Sequence, residues 1–274
     1  MGYSFTNWVI NRYGHWLLKN DPPSRSYLCD FPQICQEILP GDVLLIEGRN
    51  RVSRIIQNIT RSPWTHAALY IGHLAGIEDT QARETVKQSC TATLDTPLII
   101  ESEVGEGTII SPLTKYQDDH IRILRPQGLT TVEIQKVITY AISRLGKQYD
   151  TRHIFDLARF LFPWGLFPRK WRSSLFQHNA QQPTEDICSS MIADAFYSIG
   201  FPILPLVKTD KSNHIELIQR NPRLFTPSDF DYSPYFNVIK YPIFKLGTGI
   251  ALQDLPWKRN SENNDIEVTN DPTH

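Results

Sequence analysis

The sequence has few cysteines, and they are not arranged like metal ligands. The four are Cys29, Cys35, Cys90 and Cys188. They form no C-x-x-C pair, and four cysteines among 274 residues do not make a disulfide framework. His66 and His73 lie seven residues apart on one predicted strand, so they would point to opposite faces and would not share a metal ion. We therefore expect a reducing compartment and no metal or other cofactor.

Long apolar runs are also missing. No stretch approaches the roughly twenty apolar residues that a membrane-spanning helix needs, and residues 1–30 lack the basic and then apolar pattern of a signal peptide. We expect a protein that is made in the cytoplasm and that stays there, binds a membrane surface, or leaves by a route without a signal peptide. The net charge of −1 gives no basic field, which speaks against nucleic acid as a partner.

Composition divides the chain into three parts. Residues 1–38 hold an amphipathic helix with two tryptophans, at 3–19, and a linker. This helix either packs on the main domain or lies at a membrane interface. Residues 39–245 form the predicted catalytic domain, and residues 246–274 are polar and are expected to be a disordered tail.

The main domain begins with strands and becomes helical afterwards. Apolar segments bounded by turns predict strands at 42–47, 66–72, 96–102, 108–111, 120–124 and, at a sheet edge, 236–241. Apolar positions with helical spacing predict helices at 51–60, 131–145 and 184–200. Consecutive strands joined mostly by short turns favour an antiparallel sheet, so the expected class is α+β.

The helix predicted at 184–200 carries a cysteine in its first turn. Thr184 is a candidate cap, and Glu185 and Asp186 favour the positive end of the helix dipole. Because the unpaired N–H groups at a helix start favour thiolate over thiol, Cys188 is a candidate nucleophile. The alternative is a small, buried core cysteine.

A thiolate nucleophile needs a base, and the base needs a group that orients it. His66 lies at the entry of one predicted strand, and Glu101 lies at the end of the next one. If these strands are antiparallel neighbours, the two side chains can meet on one face. The start of the helix and the Cys188 N–H could then bind an oxyanion. The alternative for His66 is a structural strand histidine.

Several short segments between residues 40 and 241 follow one another in an order found in a known family. They are 41–45, 53–60, 62–72, 100–102 with Gly107, 146–150, 187–190 and 226–229. In this order they resemble the permuted papain-like hydrolases of the YiiX/YaeF/YebB type, part of the NlpC-type superfamily. In that family the cysteine helix follows the sheet, and Cys188 here follows His66 and Glu101 in the same way.

The resemblance implies a circularly permuted papain-like fold, with an antiparallel, barrel-like sheet packed against the nucleophile helix and extra helices at the N-terminus and in an insert. It implies Cys188 as nucleophile, His66 as base and Glu101 as orienting group. The candidate substrate-binding residues are Tyr149, Trp64 and Ser189. Ser190 departs from the family pattern, because members commonly have an acidic residue there.

The substrate is left open between two classes. Residues 152–183 mix many aromatic and basic residues, and they either build a local core or face lipid. This insert and the tryptophan helix favour a phospholipid acyl hydrolase or acyltransferase, as in relatives of the lecithin:retinol acyltransferase type. The superfamily favours an amidase or endopeptidase acting on peptidoglycan-like peptides. A non-catalytic binding module on the same fold is a further alternative, and the sequence gives no oligomeric state.

Overall fold

A computed structural model describes residues 30–91, 93–103, 106–147, 188–209 and 215–240. The predictions for the helix at 3–19, Tyr149, the insert at 152–183 and the tail at 246–274 lie outside these residues.

The elements that follow are numbered along the described chain. The helices are α1 (Phe31–Glu37), α2 (Arg51–Thr60), α3 (Thr80–Ser89), α4 (Thr131–Ile142), α5 (Cys188–Tyr197) and α6 (Pro227–Asp231). The strands are β1 (Val43–Glu47), β2 (His66–Gly72), β3 (Leu98–Glu103), β4 (Gly107–Pro112), β5 (His120–Pro126), β6 (Leu206–Thr209), β7 (Ile215–Ile218) and β8 (Phe236–Ile239). Short 3-10 helices cover Leu74–Gly76, Leu113–Tyr116 and Pro222–Leu224.

The described residues form a six-stranded antiparallel sheet in the order β4-β3-β2-β1-β5-β8. Its first five strands are the five that were predicted, with bounds shifted by one or two residues at most places. β8 pairs only with β5 at the edge of the sheet, as the pattern at 236–241 indicated. The predicted α+β class with an antiparallel sheet is confirmed.

Each face of this sheet has its own hydrophobic core, because side chains alternate between the faces along a strand. On the first face, Val43 and Leu45 of β1 share a core with α4 and α5. On the second face, Leu44 and Ile46 share a core with α1 and the turn at Leu113. The packing therefore extends to residues before position 39, since Ile34 of α1 is fully buried.

Helix α4 shows how the fold corrects one detail of the sequence pattern. Val132 was expected on the buried face, but its side chain is 61% exposed. The buried residues of α4 are Val137, Ile138, Ala141 and Ile142. Val132 lies six positions before Ile138, which is about 120° away around a helix of 3.6 residues per turn.

A buried ion pair closes one end of the sheet. Asp42, just before β1, accepts hydrogen bonds from Arg125 Nε (3.0 Å) and Nη2 (2.8 Å) and from the Leu39 N–H (2.8 Å). Gly41 has a positive φ of 92°, and a Cβ atom there would lie 2.6 Å from the Ile134 side chain. Both Gly41 and Asp42 are therefore needed for the turn through which α1, β1, β5 and α4 contact one another.

A separate two-stranded ribbon, β6 and β7, leaves its apolar side chains in solvent. Leu206 pairs with Ile218, and Val207 pairs with Leu217. Leu206, Val207, Ile215 and Leu217 are each more than half exposed. Such apolar surface is typical of sites that contact a partner or a lipid. Among the described residues, every helix is too short or too polar to cross a bilayer.

Candidate active site

His66 and Glu101 meet on neighbouring strands. β2 pairs antiparallel with β3, with Leu69 opposite Ile100. His66 alternates with Ala68 and Glu101 with Ile99, so both side chains point to the second face of the sheet. The His66 Nε2 atom lies 2.7 Å from Glu101 Oε2, a hydrogen-bond distance. The structure thus brings together the candidate base and its candidate orienting group.

The Glu101 carboxylate is completely buried and receives three donors. Besides His66, the Tyr116 hydroxyl donates to Oε2 at 2.5 Å, and Lys115 Nζ donates to Oε1 at 2.7 Å. Its side chain has 0% exposure. Burial alone would raise the pKa of Glu101, but the hydrogen bond and charge of His66 and the ammonium group of Lys115 outweigh burial and hold this pKa well below its usual range.

An ionised Glu101 also fixes the tautomer of His66. A carboxylate can only accept hydrogen bonds, so the proton between the two groups belongs to Nε2 of the imidazole. In neutral His66 the acceptor nitrogen is therefore Nδ1. The Tyr116 ring lies against the imidazole, with ring centroids 5.9 Å apart. The imidazole is thus held both at its edge and at one face.

Sequence reasoning missed Lys115 and Tyr116. Both lie in the 3-10 helix Leu113–Tyr116. The sequence held a signal for their closeness to Glu101, because this turn follows β4, and β4 pairs with the strand of Glu101. A lysine and a tyrosine in that turn were therefore within reach of the carboxylate.

Helix α5 presents Cys188 as its first residue. The candidate cap and acidic residues at 184–186 lie outside the described residues, and so does the Cys188 side chain. The helix packs on the first face of the sheet through Met191, Ile192 and Phe196. The described part of the helix begins at Cys188, and both the helix start there and the role of the thiol stay predictions.

Two candidate substrate contacts are buried side chains with partners inside the protein. Trp64 is 1% exposed, and its Nε1 donates to Asp231 Oδ2 at 3.1 Å. The Arg122 guanidinium lies 4.7 Å from the centre of the Trp64 ring. Ser189 is 0% exposed, and its hydroxyl donates to the Phe225 carbonyl at 2.5 Å. These contacts attach α6 and the segment at Phe225 to their neighbours, and a direct contact with substrate stays a prediction.

A second histidine–carboxylate pair lies on the other side of β1. His120 is opposite Glu47 in the β1–β5 pairing, and its Nδ1 lies 2.8 Å from Glu47 Oε2. The His120 ring contacts the Trp64 ring, with centroids 5.1 Å apart. Because both partners are about one-third exposed, this pair is more open to water than His66 and Glu101.

Ser190, where family members commonly have an acidic residue, is 1% exposed. No hydrogen-bond partner for its hydroxyl lies within the part of the chain that the structure describes. Among the described residues, the histidine, cysteine, aspartate and glutamate side chains form no group of three or more that could hold a metal ion.

A sheet with histidine and glutamate strands ahead of the cysteine helix is the order expected of permuted papain-like proteins. Residues 37–160 match the family model of the permuted papain-like amidase enzyme, YaeF/YiiX, C92 family. This match confirms the resemblance to the YiiX/YaeF type that the motifs indicated. It includes His66 and Glu101 and ends before Cys188.

One solved structure similar to this chain is that of the metalloprotein YiiX from Escherichia coli O157:H7. The two share 14% sequence identity over 74% of this chain and 97% of that chain, with a TM-score of 0.44. The description as a metalloprotein belongs to the Escherichia coli protein. No curated protein matches the chain by sequence. The family match supports a hydrolase of the amidase type as the broad function.

Proposed function

We propose that the protein is a cysteine-dependent hydrolase that forms an acyl-enzyme, with Cys188 as nucleophile, His66 as base and Glu101 as orienting group. The observation that carries this proposal is the 2.7 Å contact between His66 Nε2 and a fully buried, ionised Glu101. A histidine held in one tautomer by a buried carboxylate is the arrangement that a general base requires.

In the proposed reaction, Nδ1 of His66 takes the thiol proton and the Cys188 thiolate attacks an acyl carbonyl. The acyl C–O or C–N bond breaks, and the leaving oxygen or nitrogen takes the proton from the imidazolium. Water, with its proton removed by His66, then attacks the thioester; the C–S bond breaks, the acid leaves, and the imidazolium returns the proton to the Cys188 thiolate. Glu101 stays ionised throughout, and it stabilises the imidazolium in both steps.

A lipid acyl ester is the first candidate substrate. The aromatic and basic residues at 152–183 and the tryptophans at 3–19 favour lipid contact. In the described structure, the exposed aliphatic residues of the β6–β7 ribbon provide further apolar surface. Acyl transfer to another lipid would use the same thioester. On this proposal the protein acts at a membrane surface.

An amide bond in a peptidoglycan-like peptide is the second candidate. The description of the matching family as amidases favours it. The same three side chains serve both substrates, because thiolate attack on an ester or on an amide passes through the same kind of acyl-enzyme. A non-catalytic binding module is a third possibility, which the absence of any acyl release would favour.

The proposal is tested by incubating the wild type with phospholipid vesicles and, separately, with peptidoglycan fragments, and by measuring free fatty acid and released peptide. Cys188→Ala should lower the rate by about 10³-fold or more, because the nucleophile is lost. Cys35→Ala is the matched control, since Cys35 is an exposed free cysteine on α1, and it should keep the wild-type rate.

Each outcome of this comparison has a clear meaning. Activity retained by Cys188→Ala would overturn the assignment of the nucleophile. Release of peptide without fatty acid would overturn the lipid preference, and release of fatty acid alone would support it.

A further inference from the structure

Lys115 connects the buried carboxylate of the candidate site to the protein surface. Its ammonium group donates to Glu101 Oε1 at 2.7 Å and also bonds Glu103 Oε1. The Lys115 side chain is 31% exposed, as is that of Glu103, whereas Glu101 is fully buried. Four charged or titratable groups therefore form a row in which the buried Glu101 lies between the partly exposed His66 and the pair of Lys115 and Glu103.

The two oxygens of Glu101 serve different partners. Oε2 receives His66 and Tyr116, and Oε1 receives Lys115. Oε2 is thus the oxygen that orients the imidazole. The lysine adds a positive charge on the far side of the same carboxylate, without contacting the imidazole edge that Glu101 holds.

Without Lys115, the negative charge of the buried Glu101 carboxylate would strongly raise the affinity of His66 for a proton. An adjacent negative charge favours the imidazolium form, and water does not screen the interaction in the interior. The positive charge of Lys115 opposes this attraction. Burial by itself would lower the pKa of Lys115, but the charges and hydrogen bonds of Glu101 and Glu103 raise it, so the lysine stays charged.

We infer that Lys115 is a positioning residue of the proposed site, which acts through Glu101 to limit the proton affinity of His66. The inference rests on the proposed role of His66 as the base. A base that held its proton too tightly would be unavailable to the thiol at neutral pH. Lys115 therefore lets one carboxylate orient the imidazole while it opposes the attraction of that carboxylate for a proton on His66.

The groups that act on His66 include Glu101 and Tyr116, which contact it, and Lys115 and Glu103, which act through Glu101. Cys188 begins the helix on the other face and is the proposed partner of His66 Nδ1. Since Glu103 faces only Lys115, its effect on the imidazole should be opposite in sign to that of the lysine.

The inference is tested by following the His66 imidazole with pH by NMR, its signal being assigned by its absence from His66→Gln. Lys115→Met should raise the midpoint of this titration by about one unit, because a nearby charge of this kind shifts a pKa by that order. The limb of the pH–rate profile that reports His66 should move in the same direction. Lys115→Arg keeps the charge and should restore most of the wild-type midpoint.

Two further variants separate this effect from a general loss of a surface ion pair. Glu103→Gln should move the His66 midpoint to lower pH, by less than Lys115→Met moves it upwards. Lys87→Met removes an exposed lysine that pairs with Glu84 on α3, and it should leave the midpoint unchanged.

An unchanged or lowered midpoint in Lys115→Met, with Lys115→Arg folded and equal to wild type, would overturn the inference. The NMR titration needs no turnover, so it distinguishes the two proposals. If Cys188→Ala keeps its activity, the proposed function fails whatever the titration shows. If the wild type depends on Cys188 but the midpoint does not respond to Lys115, only the inference fails.

Discussion

Two carboxylates of the central sheet are equally buried, yet they have different partners. Asp42, before β1, is 1% exposed, and Glu101, in β3, is 0% exposed. Asp42 is held by the guanidinium of Arg125 and the Leu39 N–H. Glu101 is held by an imidazole, an ammonium group and a phenol. Burial alone therefore does not distinguish a structural carboxylate from one in a candidate active site.

The partners decide what each carboxylate can do. Arginine stays charged at every accessible pH and cannot exchange a proton, so Asp42 and Arg125 can only fasten β1 to β5. Histidine changes its charge near neutral pH, so Glu101 can affect a proton transfer. The pKa shifts also differ in sign. Burial outweighs Arg125 and raises the pKa of Asp42, whereas His66 and Lys115 outweigh burial and lower the pKa of Glu101.

The largest effect on function is expected at Glu101. In Glu101→Gln the amide can donate to His66 Nε2 and so favours the wrong tautomer. We expect acyl hydrolysis to fall by about 10³-fold, by analogy with the loss of an orienting carboxylate in other triads. The midpoint of urea unfolding should fall as well, because the lowered pKa of Glu101 means that its ionised form stabilises the fold, so the activities are compared per folded molecule. A variant with wild-type activity would contradict the role given to Glu101.

The corresponding change at the partner of Asp42 should affect stability and not chemistry. Arg125→Met leaves the Asp42 charge buried without its main partner, which should lower the free energy of unfolding by about 3 kcal/mol. The double variant with Asp42→Asn should recover much of this loss, because no buried charge is left. Activity per folded molecule should equal that of the wild type. A loss of activity as large as that of Glu101→Gln would break the comparison.

Most of the sheet could be predicted from local patterns, since apolar segments and turns alone gave five strands in order. The meeting of His66 and Glu101 was predicted only on the condition that their strands were antiparallel neighbours, since residues 73–97, which include α3, separate β2 from β3. The environment of Trp64 could not be predicted, since its partner Asp231 lies 167 positions away in the chain. Lys115 was missed for a different reason: a lysine in a short turn is usually solvated, and only the β3–β4 pairing brings this one to Glu101.

Ser189 is another residue whose surroundings could not be predicted from the local sequence. Its place beside Cys188 suggested a contact with substrate, but the hydroxyl donates to the Phe225 carbonyl. Helical periodicity indicates which face of α5 is buried. It does not indicate which loop packs on that face, because the loop comes from a distant part of the sequence.

The central claim is that Cys188 is a thiolate nucleophile served by His66. It is tested most directly by the rate at which iodoacetamide alkylates each cysteine at pH 6, measured by peptide mass spectrometry. Cys35 and Cys90 are internal controls, and burial raises the pKa of the Cys35 thiol. The account predicts that Cys188 reacts at least ~10-fold faster than both controls, because only thiolate is nucleophilic, and that His66→Gln abolishes this advantage. Equal rates for Cys35, Cys90 and Cys188 in the wild type, or a fast Cys188 in His66→Gln, would contradict it.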